Sequence, residues 1–164
     1  MQSASIKDIK DELKNLDNSE LKELVLKLGR FKKENKEYLS YILFLSHDEV
    51  DFRNEMKFDI EEEFQQINTS GFYLMKKGIR KILKNTKQAI RFSKNKQTEV
   101  ELLLFFCEKL VEVSPSIHSS LILTNMLEQQ LKMAGKALDK IETDLRHDYQ
   151  TEINRIIQQF NEGL

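Results

Sequence analysis

The sequence predicts an all-α fold: seven or eight antiparallel helices in successive hairpins, closed as a bundle or strung out as a short α-solenoid-like array. Three observations carry this. Apolar residues recur at helical spacing along nearly all of the 164 residues. Five glycines and one proline are too few for the many tight turns of a β-sandwich. A hydrophobic share of 40% is enough for a core despite 32% charged residues, which argues against disorder. The length suits one domain spanning residues 1–164, and no linker-like stretch divides it.

Ile6, Ile9, Leu13 and Leu16 mark a first helix, with Ser5 as its cap and Asp8 in its first turn. Asp17 with Glu20 forms a capping-box pattern for a second helix, whose stripe is Leu21, Leu24, Val25 and Leu28. Gly29 is the expected left-handed terminator. A third helix runs from about Phe31 to Leu45, and its apolar end predicts a central position. Ser46 with Glu49 predicts the box that opens a fourth helix, carrying Phe52, Met56, Ile60, Phe64 and Ile67 on one face. Asn68 to Gly71 is the clearest loop.

A fifth helix starts near Phe72, with Met75, Ile79, Leu83 and Ile90 on one side and a potential break near Asn85. Thr98 with Glu101 predicts the start of a sixth, apolar all round from Leu102 to Cys107 and stopped by Ser114-Pro115. Residues 117–161 read as one long helix or two; Gly135 favours two, with the break beside it. Their stripe, from Leu127 to Phe160, mixes spacings of three and four. Packing within the domain accounts for it better than a coiled coil with a second subunit.

A net charge of −1 excludes a global field that would steer the chain to nucleic acid or acidic membranes. The single cysteine, Cys107, excludes an internal disulfide and points to a reducing compartment. No leader-like segment and no apolar run of about 20 residues is visible, so no membrane association and a cytoplasmic location are expected.

No catalytic, cofactor-binding or metal-binding set stands out. Cys107 lies in an apolar run and reads as core rather than as a reactive thiol. His47 has Asp48, Glu49 and Asp51 nearby, but acids at a helix start are explained by the helix dipole, and no zinc-type spacing is present. His118 reads as a surface or capping residue. Glu61, Glu62 and Glu63 are consecutive and point to different faces. The common nucleotide loops and the nucleophile-elbow pattern are absent.

One surface is distinctive. Between residues 76 and 96, nine cations occur without an acid. Lys76, Arg80, Lys84, Lys87 and Arg91 share one arc of a helix, separate from the apolar arc of Met75, Ile79, Ile82, Leu83, Ala89 and Ile90. Such a face suits an acidic protein or a phosphate backbone. The competing explanation is internal: eight acids between Asp48 and Glu63, against Arg53 and Lys57, would lie near it if the two helices packed antiparallel. Phe92 is the only aromatic residue among these cations, which weakens the case for stacking on single strands.

The order of these features resembles an uncharacterised bacterial family, domain of unknown function six-one-five-five. The opening Ile6-Lys7-Asp8-Ile9 through Leu28, the turn Leu16-Asp17-Asn18-Ser19-Glu20-Leu21, and the lysine- and tyrosine-containing Lys33 to Tyr41 are similar to it. So is the succession of an acidic helix (Asp48 to Phe64), a basic one (Lys76 to Arg91) and an aliphatic one (Val100 to Val113). The likeness covers roughly residues 5–113. It implies an array of helical hairpins and no known activity. The expectation is therefore a non-enzymatic interaction or scaffold module of the bacterial cytoplasm, without cofactor, whose partner is another protein. The alternative is nucleic-acid binding through the basic face.

Overall fold

The structure is a computed structural model and describes residues 2–163. Eight α-helices make up the fold, with no strand among the described residues: α1 (Ile6–Leu13), α2 (Asn18–Phe31), α3 (Lys33–Ser40), α4 (Glu49–Gln65), α5 (Phe72–Ser93), α6 (Lys96–Glu112), α7 (Leu121–Leu138) and α8 (Thr143–Glu162). The chain divides into two compact units, Met1–Leu45 and Ser46–Leu164.

In the first unit both expected caps form. Ser5 Oγ accepts from Asp8 N, and Asp8 accepts from Ser5 N, each at 3.2 Å. Asp17 Oδ1 accepts from Ser19 N and Glu20 N while Glu20 accepts from Asp17 N, at 2.7 to 2.8 Å. Gly29 does not end α2. The helix passes through it and stops where Lys32 becomes extended (φ −144°). The glycine serves packing instead: a Cβ there would lie 2.9 Å from Leu39 Cδ1, so its absence lets α3 approach. Helix α3 runs into a π-turn, Tyr41–Leu45. Contrary to expectation, this apolar end is not central. Tyr41 is buried and stacks on Tyr38, but Ile42, Leu43 and Phe44 are exposed. Three successive helical residues spread around the axis, and a unit of this size encloses little. A cleft of about 320 Å³ lies between α1 and α2, lined by residues including Ile9, Leu13, Leu16 and Leu24.

The second unit is built around α6, which packs against α4, α5, α7 and α8. That explains its sequence: a helix with neighbours on every side can be apolar all round. Leu102, Leu103, Leu104, Phe106, Cys107 and Leu110 are fully buried. Two caps differ from expectation. Asp48, not Ser46, caps α4, accepting from Val50 N and Asp51 N at 3.0 Å. Asn95 caps α6, accepting from Gln97 N and Thr98 N, after Lys94 turns the chain in the left-handed region (φ 57°).

The region 117–161 holds two helices after a short 3₁₀ turn, Ile117–Ser119. The break falls at residues 139–142 rather than near Gly135, which lies within α7. Arg146 fixes the position: its Nε donates to Ile141 O (2.9 Å) and its Nη2 to Asp139 O (3.0 Å). These bonds satisfy carbonyls of the turn that follows α7. Leu127, Ala134, Leu138, Ile141, Ile153 and Ile156 are buried, so much of the C-terminal stripe is used within this unit.

Candidate functional site

Helix α5 has an inner and an outer face. Met75, Ile79, Ile82, Thr86 and Ala89 are buried, and the helix packs on α4 and α6. It continues without a break through Asn85, whose side chain reaches out to Glu63 Oε1 (2.8 Å) and leaves the backbone ladder alone. Ser93, at its end, donates to Glu49 Oε2 (2.7 Å), which also accepts from Thr98 Oγ1 (2.7 Å). The orientation of α5 is thus tied to the starts of both α4 and α6.

The outer face carries Lys76, Lys77, Arg80, Lys81, Lys84, Lys87 and Arg91, seven cations in a helix without an acid. Lys77, Arg80, Lys81, Lys84 and Arg91 are exposed; Lys76 and Lys87 are half-buried. The structure therefore places all five predicted residues, Lys76, Arg80, Lys84, Lys87 and Arg91, on one helix. Lys96 leaves the set, since it pairs with Glu99 in the first turn of α6.

The carboxylates of α4 do not neutralise this face through ion pairs. Among the described residues, no ion pair within 4.0 Å involves any of the seven cations. The partners of α4 lie elsewhere. Glu61 pairs with Lys109 of α6 (2.7 Å), and Arg53 and Lys57 pair with Glu101 of α6 (3.3 and 2.7 Å). Two hydrogen bonds, Asn85 to Glu63 and Ser93 to Glu49, join polar but uncharged α5 side chains to acids of α4.

The other chemistry-bearing residues serve the fold. Glu101 also accepts from Tyr149 Oη (2.6 Å) and Gln97 Nε2 (3.0 Å), closing a polar cluster across α4, α6 and α8. Burial pushes the Glu101 carboxyl up. Hydrogen bonds from Lys57 and Tyr149, with the charges of Lys57 and Arg53, more than offset this and hold it below its ordinary value. Burial, then the bond to Glu101, raises the Tyr149 phenol to about 12. Cys107 is buried, and desolvation raises its thiol strongly, which disfavours the reactive thiolate. His118 stacks on Phe160 with centroids 4.1 Å apart, a packing role rather than a cap. Of the acids beside His47, Asp48 caps α4 and Glu49 holds Ser93 and Thr98. No group of three His, Cys, Asp or Glu side chains converges among the described residues.

Sequence reasoning overlooked Tyr73. It is 76% exposed and opens the same row as the cations. Its spacing to Lys77, Arg80 and Lys84 (i+4, i+7, i+11) was the available signal. Among the described residues, no helix is long and apolar enough to cross a membrane. Comparison with family models, with curated proteins and with solved structures finds no match to this chain.

Proposed function

We propose that this chain is a non-enzymatic helical interaction module and that the cationic face of α5 is its docking surface for an anionic macromolecule. The observation that carries the reading is the unpaired state of the seven α5 cations, none of which has a carboxylate within ion-pair distance, while Arg53, Lys57 and Glu61 of α4 pair with α6. A row of like charges repels itself and gains most when an anion covers it. Glu101, Tyr149 and Cys107 support the non-enzymatic part, because each is engaged or buried inside the second unit. The reduced cysteine fits a bacterial cytoplasmic setting.

An acidic protein surface and a nucleic-acid backbone both suit this charge. The linear order of the free cations along one helix favours the second. Heparin-affinity chromatography tests the docking surface itself. The variant K76Q/R80Q/K84Q/K87Q/R91Q should elute at clearly lower salt than the parent while keeping its circular dichroism, since surface substitutions of this kind change stability by about 0.5 kcal/mol or less each. Passage of the parent through the column at low salt would reject the surface. Turnover of a phosphoester, ester or peptide that a point substitution abolishes would reject the non-enzymatic reading.

A further inference from the structure

The outer face of α5 combines a cation row with an exposed aromatic ring. At about 100° per residue, Tyr73, Lys77, Arg80, Lys84, Lys87 and Arg91 fall within an arc of roughly 80°. At about 1.5 Å per residue, the row from Tyr73 to Arg91 extends for about 27 Å. Tyr73 is 76% exposed in the first turn, so its ring is available to a ligand. The row offers few groups for reading base edges: Gln88 is 7% exposed, the Asn85 amide is held by Glu63, and among its cations two, Arg80 and Arg91, are arginines. Recognition of a particular duplex sequence relies on such amides or on bidentate arginines in a groove. Cations that follow a backbone, with an aromatic ring beside them, match the way single strands are held regardless of sequence.

We propose that this face binds single-stranded nucleic acid without sequence preference, the cations following the phosphates and Tyr73 stacking on a base. The proposal rests on the reading of α5 as the docking surface and names its ligand class.

Fluorescence anisotropy with a short labelled oligothymidylate tests it, using the full chain. If about five phosphates are neutralised, the log–log salt slope should be about −3.5, and affinity should fall about 100-fold between 50 and 200 mM salt. The five-Gln variant should lose both the binding and the slope. Tyr73→Ala should weaken binding by about 5- to 150-fold, the range expected for one stacked base, and Tyr73→Phe should restore it. Circular dichroism of each variant separates lost binding from lost folding. If the parent ignores the oligonucleotide at 50 mM salt but binds a polyglutamate peptide, and the five-Gln variant does not, the nucleic-acid proposal falls and the docking surface stands. Binding to neither ligand overturns both. Tighter binding to the duplex than to the single strand, or no effect of Tyr73→Ala, overturns the stacking arrangement.

Discussion

Replacing Glu101 by Gln removes one negative charge from the polar cluster between α4, α6 and α8 while keeping an oxygen that Tyr149 can still donate to. The consequence falls on Arg53. Its side chain is 9% exposed, against 15% for Glu101 and 30% for Lys57. Its hydrogen bond to Thr98 Oγ1, at 3.4 Å, is long and carries no compensating charge. Breaking a buried pair from one side costs about 3–5 kcal/mol, because the remaining charge is left uncompensated. The partly solvated Lys57 rim lowers that figure to about 2–3 kcal/mol here. For a chain of this length, each kcal/mol moves the midpoint by about 2–4 °C, so E101Q should melt about 4–12 °C below the parent at neutral pH.

The acid limb gives a second reading of the same charge. The folded carboxyl titrates below its ordinary value of 4.5. Its contribution is therefore present above that value and lost as pH falls through the depressed folded value. The gap between E101Q and the parent should narrow below about pH 4.5. The phenol behaves in the opposite sense. Raised to about 12 in the fold, Tyr149 contributes stability below its ordinary value of 10.0 that is lost as pH rises through 12. A difference absorbance titration against Tyr149→Phe should show this phenol ionising earlier in E101Q. Thermal circular dichroism across pH supplies the stability data. An E101Q midpoint within about 1 °C of the parent at pH 7, or a gap unchanged in acid, would refute the reasoning. A double variant, Arg53→Met with Glu101→Gln, should recover much of the loss, since it removes the buried charge that E101Q strands and leaves only the partly solvated Lys57 without its partner.

Gly135 lies inside α7 with open space around the position of an added Cβ, so Gly135→Ala should stabilise by about 0.5–1 kcal/mol and raise the midpoint by a few degrees in thermal unfolding. Cys107 should resist a thiol-specific chromogenic reagent in the native protein and react at once in denaturant; rapid native labelling would contradict its burial.

Much of the secondary structure was legible because its signals are local. The Ser5–Asp8 and Asp17–Glu20 boxes formed as read, since both partners lie within one helical turn. Two other sequences fit the same pattern and did not become caps, Ser46 with Glu49 and Thr98 with Glu101. Their members are spent elsewhere: Glu49 binds Thr98, and Glu101 binds Arg53, Lys57 and Tyr149. The capping pattern records a local opportunity, and a more buried tertiary partner can take the side chain instead. Asp48 and Asn95 then fill the vacant caps. The two glycines read as breakers are explained in the same way. Gly29 makes room for Leu39, and the break expected at Gly135 falls where Arg146 can bond the turn that follows α7.

By itself, the sequence determined the helical class, the all-apolar character of α6 and the cationic arc of α5. Each depends on the period of the helix and on the residues along it, which no neighbour can change. Tertiary structure alone decided that the arc is left without ion pairs: none of the α4 acids comes within ion-pair distance of it, and Glu61 pairs with Lys109 of α6 instead. Charge pairing depends on which side chains approach within a few ångströms, a distance that packing sets and sequence order does not.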